Sequence, residues 1–87
     1  MSQLIHDTIT FYGATWCPDC NVSKKFLDDN AIEYTYVNLE EKPEAAEEVE
    51  KINNGFQSIP TIVFKDGTSL TEPTNEEIAQ KLGLKIA

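Results

Sequence analysis

Two cysteines, Cys17 and Cys20, flank Pro18 and Asp19, and the chain has no others. Sulfurs this close can carry two electrons between them. One thiolate attacks a disulfide and forms a mixed disulfide; the second then attacks the first and frees the reduced product. The surrounding pattern favours this use. A strand-like run ends just before Gly13-Ala14-Thr15-Trp16, and a helical pattern begins at Pro18. Cys17 at a helix N-terminus faces unpaired N–H groups and the positive end of the helix dipole, which favour thiolate over thiol. Cys20 returns to the same side of the helix one turn on, so a disulfide can close with little backbone movement. Cys17, at the exposed end, is expected to be the nucleophile and Cys20, further inside, the resolving thiol.

Pro18 and Asp19 are expected to tune this pair. Proline stiffens the turn and suits the first helical position. Asp19 puts a negative charge beside the would-be thiolate, opposes the backbone donors and so acts as a brake on ionisation, which fits a reducing role better than an oxidising one. The competing readings are two small buried residues or half of a zinc site. Zinc needs two more ligands, and the chain offers only His6 and no second cysteine pair. No metal is expected, and a Cys-x-x-Cys between strand and helix favours redox chemistry.

The elements that must position these residues follow from periodicity. Thr8–Tyr12 and Glu33–Leu39 alternate as strands, and Thr61–Lys65 is a short apolar strand. The helix from Pro18 to about Asp29 aligns Val22, Phe26 and Asp29, with Leu27 broadening the apolar face and Asn30 as its stop. A second helix opens at Pro43, buries Ala45, Val49 and Ile52, and closes at Asn54-Gly55. Asp66-Gly67 reads as a two-residue hairpin into Thr68-Ser69-Leu70. Thr74 and Glu77 have the spacing of a capping box for a last helix ending at Gly83. The expected fold is α/β in the order β-α-β-α-β-β-α: one domain over residues 1–87, with a four-stranded mixed sheet and helices on both faces.

Composition narrows the function. The net charge of −8, with seven lysines and no arginine, disfavours nucleic acid and anionic membranes. The N-terminal residues lack a signal-peptide pattern and no apolar run is long enough for a membrane span, so a cytoplasmic location is expected. Glu40, Glu41, Glu44, Glu47, Glu48 and Glu50 read as the wet face of the second helix. Lys24 and Lys25 read as a solvated helix face, His6 as a surface residue, and Tyr12 as core.

Thr15-Trp16-Cys17-Pro18-Asp19-Cys20, Ser58-Ile59-Pro60 and Asp66-Gly67 together resemble the thioredoxin superfamily, and more closely its glutaredoxin branch. Asn53-Asn54-Gly55, Ile59-Pro60-Thr61, Asp66-Gly67-Thr68 and Pro73 resemble the mycoredoxins within it. The resemblance implies a thioredoxin-like fold and a cis bond at Pro60. It also implies that the backbone of Ile59 pairs with an extended client segment. Trp16, Ile59, Pro60 and Thr71 are then the substrate-binding candidates, although Trp16 could equally pack the loop. Two family features are missing. Gly13-Ala14 stand where many glutaredoxins carry a glutathione-binding lysine, and Leu70–Asn75 contains no Gly-Gly turn.

The expected activity is reduction of protein disulfides, or of protein mixed disulfides with a low-molecular-weight thiol. Mycothiol or glutathione is the expected co-substrate, with no bound cofactor. The missing lysine and Gly-Gly turn shift the expected reductant away from glutathione, toward another thiol or a protein. Expected partners are disulfide-containing clients and a small-thiol or flavoprotein reductase system, with the chain as a monomer. One alternative is an electron donor to ribonucleotide reductase recharged by thioredoxin reductase. Another, of a different class, is a dimer binding an iron–sulfur cluster.

Overall fold

A computed structural model describes residues 9–84; His6 and the expected first strand residue, Thr8, lie outside the described residues. The strands are β1 (Ile9–Gly13), β2 (Tyr34–Asn38), β3 (Thr61–Val63) and β4 (Ser69–Thr71). The helices are α1 (Pro18–Asp29), α2 (Ala46–Ile52) and α3 (Asn75–Leu82). The sheet order is β2-β1-β3-β4, with β1 parallel to β2 and the other pairs antiparallel. This is the expected mixed sheet and element order.

Alternation along β1 sets the two layers. Ile9, Phe11 and Gly13 point to one face, where Phe11 is in register with Tyr36 and Ile62, and Ile62 with Leu70. Helix α1 covers this face with Cys20, Ser23 and Leu27, and α3 with Ile78 and Ala79. Phe11, Leu27, Ile62 and Ile78 are fully buried, and each such side chain contributes roughly 1.5–3 kcal/mol. Tyr12, Thr61 and Thr71 point to the other face, which α2 covers. There Asn53, capping α2, donates to Thr61 Oγ1 at 3.0 Å and accepts from Thr71 Oγ1.

The sequence expectations need adjusting in three places. The buried stripe of α1 is Cys20-Ser23-Leu27, while Val22 is 55% exposed; packing of Cys20 against the end of β1 sets the rotation of the helix. The second helix starts as a 3₁₀ turn, Pro43–Ala45, so only its later part is α-helical, and Val49 is its fully buried anchor. The hairpin loop has three residues, not two. Gly67 N–H donates to the Phe64 carbonyl at 2.9 Å and Phe64 N–H to the Thr68 carbonyl at 2.7 Å, with a positive φ at Gly67 and none at Asp66. That is a type I turn followed by a left-handed residue.

The last helix follows the expectation. Thr74 and Glu77 form the reciprocal capping box, and Gly83 takes the left-handed cap. Among the described residues no helix is long and apolar enough to cross a membrane.

Candidate active site

The site forms where β1 hands over to α1. Its narrowest point is Gly13. A Cβ built there would lie 2.9 Å from Phe11 Cε1 and 3.1 Å from Cys20 Sγ, so close approach of Cys20 to the strand requires glycine. Leu39 N–H holds the Gly13 carbonyl from β2 at 2.9 Å. The chain then turns through Ala14-Thr15-Trp16, with Cys17 N–H donating to the Ala14 carbonyl at 3.2 Å.

Cys17 is the N-cap of α1 in extended geometry, and Pro18 occupies the first turn. Cys20 N–H donates to Cys17 Sγ at 3.1 Å, so the sulfur fills the capping role of an oxygen at a helix N-terminus. Both cysteines are free thiols. The expected contrast in exposure is absent: Cys17 is 5% exposed and Cys20 1%. The contact from the Cys20 N–H holds the Cys17 sulfur against the start of the helix, and Cys17 belongs to the buried cluster that includes Ala14 and Cys20.

The two thiols differ electrostatically instead. Burial, followed by its hydrogen bond to Cys17, pushes the Cys20 thiol up to about 12. A backbone contact from Ala14 opposes these effects, and the Asp19 charge adds a smaller upward push. The Asp19 charge, expected to restrain Cys17, thus acts on the second cysteine.

This shift makes stability depend on pH. A thiol with the ordinary value of 9.0 ionises in the unfolded chain well before the native Cys20 does at about 12. Between these values the unfolded chain has lost a proton that the native chain keeps, so stability falls as pH rises through this window. The reduced protein should therefore lose denaturant resistance between about pH 8 and about pH 10.5 faster than the disulfide form, which has no thiol to ionise. Urea unfolding of both forms checks this; equal losses would clear Cys20 of any part.

Beside the dithiol runs a groove of about 430 Å³, lined by Trp16, Leu39, Glu40, Pro43, Gln57 and Ile59 among others. Trp16 is 68% exposed, so it forms a wall of the groove and does not pack the loop. Ile59 is half-buried and packs against the cluster that contains both cysteines. Its backbone N–H and C=O have no hydrogen-bond partner among the described residues. The Ile59–Pro60 peptide is cis, and Pro60 is buried. Thr71 lies at the end of β4, where its hydroxyl is engaged by Asn53. Lys24 and Lys25 pair with Asp28 and Asp29 along α1, at 3.3 and 2.8 Å.

Two residues of the site were not singled out by sequence. Tyr36 stacks on Phe11 with ring centroids 5.4 Å apart, and its phenol is raised by burial and then by the charge of Cys20. Glu40 is not on the second helix. It follows β2 and accepts hydrogen bonds from the Thr15 N–H at 2.8 Å and from the Thr15 hydroxyl. The signal that could have found Glu40 is topological: parallel neighbours end at the same edge of a sheet, so the residues after β2 meet the loop after β1. Cys17 and Cys20 are the residues here with metal-binding chemistry, and no group of three His, Cys, Asp or Glu side chains is placed to hold an ion among the described residues.

Comparison with known proteins supplies the family. The glutaredoxin family model matches residues 9–68. A glutaredoxin assigned in Mycobacterium tuberculosis is 39% identical over 97% of this chain and 99% of its own length. Mycoredoxin 1 of Corynebacterium glutamicum is 35% identical over 85% of this chain and 91% of its own. The crystal structure of a methanoredoxin from Methanosarcina acetivorans superposes with a TM-score of 0.77 at 30% identity, covering 87% of this chain and 84% of that one.

Proposed function

This chain belongs to the glutaredoxin family, and we propose that it is a thiol–disulfide oxidoreductase. Its substrates are protein disulfides, or mixed disulfides between a protein and a low-molecular-weight thiol. The observation that carries the reading is the capped pair: Cys17 Sγ held by the N–H of Cys20 at the start of α1, with the Cys20 thiol bonded to it.

In the reaction, Cys17 gives up its proton and attacks one sulfur of the client disulfide. A Cys17–client disulfide forms and the other client sulfur leaves as a thiol. Cys20 then attacks Cys17 Sγ, which releases the second client sulfur and leaves a Cys17–Cys20 disulfide. Two electrons and two protons pass to the client. The order is supported by what holds the Cys20 proton. Its hydrogen bond to Cys17, and the charge on Cys17, both raise the Cys20 value. Both disappear once Cys17 is in a mixed disulfide, so the resolving thiol becomes easier to ionise only after the first step. The free backbone of Ile59 suits pairing with an extended client segment next to Trp16.

Recharging the pair requires a reductant from outside the chain. A groove with no lysine in its lining, together with the likeness to a mycoredoxin, supports mycothiol over glutathione. The proposed setting is the reducing cytoplasm, with the chain acting as a monomer. An NADPH-coupled assay with three electron sources tests this: glutathione with its reductase, mycothiol with its reductase, and thioredoxin reductase. Chain-dependent NADPH consumption is expected in the mycothiol arm. Consumption in the thioredoxin reductase arm alone would replace the small thiol with a protein donor, and none in any arm would overturn the reading.

A further inference from the structure

The groove beside the dithiol carries a charge of its own. Glu40 lies in its lining with its Oε1 holding the Thr15 N–H and hydroxyl. Its Oε2 has no hydrogen-bond partner among the described residues. The two Thr15 bonds also lower the Glu40 carboxyl below its usual range, so the group is ionised at neutral pH. Gln57, also in the lining, donates a hydrogen bond to Glu50, a second carboxylate. No lysine lines the groove, and the chain contains no arginine. A thiol or client segment leaving Cys17 through this groove therefore meets a fixed anion and no fixed cation.

We propose that Glu40 is a specificity-determining residue, whose carboxylate makes the groove favour a cationic group on the leaving thiol and disfavour an anionic one. This rests on the reductase reading above. The same carboxylate ties the nucleophile's loop to the end of β2, so the residue that shapes the loop also sets its charge preference. A carboxylate a few ångströms from the bound group discriminates between opposite charges by about tenfold at low ionic strength and by much less at high salt. A shape-based filter would not depend on salt.

Three mixed disulfides of one uncharged cysteine peptide provide the probe: with cysteamine (cationic), 2-mercaptoethanol (neutral) and 3-mercaptopropionate (anionic). Each kcat/KM is divided by the rate constant of dithiothreitol with the same disulfide, which removes differences in intrinsic leaving ability. The native chain is expected to prefer the cationic over the anionic probe by about tenfold in low salt, with the preference largely lost in about 0.5 M salt. Glu40→Gln keeps an oxygen for Thr15 but removes the charge, and should bring the ratio to about twofold or less. Asp29→Asn removes the same charge about 18 Å along α1 from Cys17 and should leave the ratio unchanged.

A flat ranking in the native chain would overturn the proposal outright, and equal loss by both variants would overturn it in favour of general surface charge. A uniform slowing of all three probes in Glu40→Gln, with the ratio intact, would overturn it in favour of a loop clamp only. Absence of turnover with every probe would instead sink the reductase reading itself.

Discussion

Replacing Cys17 with serine is expected to slow the first sulfur attack by at least about tenfold, because the remaining thiol is both covered and hard to ionise. The Cys20 value of about 12 against an ordinary 9.0 means about a thousandfold less thiolate at neutral pH. Higher intrinsic nucleophilicity of the more basic sulfur restores a factor of about 16–32. That leaves a deficit of roughly 30–60-fold from ionisation, and burial of Cys20 to 1% exposure widens it. Serine at position 17 removes the Cys17 charge and so part of the shift, which makes this deficit an upper figure, but it does not relieve burial, the largest cause. Stopped-flow absorbance with dithiodipyridine, an uncharged chromogenic disulfide, measures the step.

The same reagent separates the roles. The native chain should release two pyridinethione molecules per reagent molecule, the second as Cys20 closes the internal disulfide. Cys20→Ser should release one rapidly and retain the other as a stable adduct on Cys17, visible by mass. If Cys17→Ser reacts as fast as the native chain while Cys20→Ser does not react, the nucleophile and resolver have been assigned the wrong way round. Activity of Cys20→Ser on small-thiol mixed disulfides would show that one thiol suffices for that substrate class.

What could be read in advance was mostly local. The Cys-x-x-Cys pair before a helical pattern, the Thr74–Glu77 box and the left-handed Gly83 each depend on neighbours within a turn. The same is true of the strand alternation that yields the sheet. The rotation of α1 is different. Val22 and Phe26 make as good an apolar line as Cys20 and Leu27, and the close approach of Cys20 to Gly13 across the chain chooses between them. Glu40 was obscured by the glutamates that follow it, a run that reads as one solvated surface. Pairing of Gly13 with Asn38 brings the end of β2 beside the loop after β1, where Glu40 meets Thr15 across 25 residues of sequence. Buried cysteine at a site expected to be open has a similar origin, since Cys17 belongs to one cluster with residues far along the chain such as Ile62 and Ile78.

Gly13→Ala is expected to be the most damaging single-carbon change at the site. The position has no positive φ, so alanine's backbone preference is not the difficulty; space is. The added carbon would sit 2.9 Å from the Phe11 ring and 3.1 and 3.3 Å from the Cys20 sulfur and Cβ. The Phe11 ring is wedged between Tyr34 and Tyr36, with centroids 5.8 and 5.4 Å away, and Cys20 is fixed by its helix. Overpacking of this kind costs about 1–3 kcal/mol, a fall in midpoint temperature of roughly 5–20 °C for a domain of this size. The chemistry should suffer as well, since the sulfur displaced is the proposed resolving one: release of the second pyridinethione should slow more than the first. A double-mutant cycle with Phe11→Leu isolates the cause. If the clash with the ring dominates, the double variant should be more stable than the sum of the single losses by about 1 kcal/mol or more. Strict additivity, or a second release as fast as the first relative to the native chain, would show that the strand end yields and that Gly13 is not what seats Cys20.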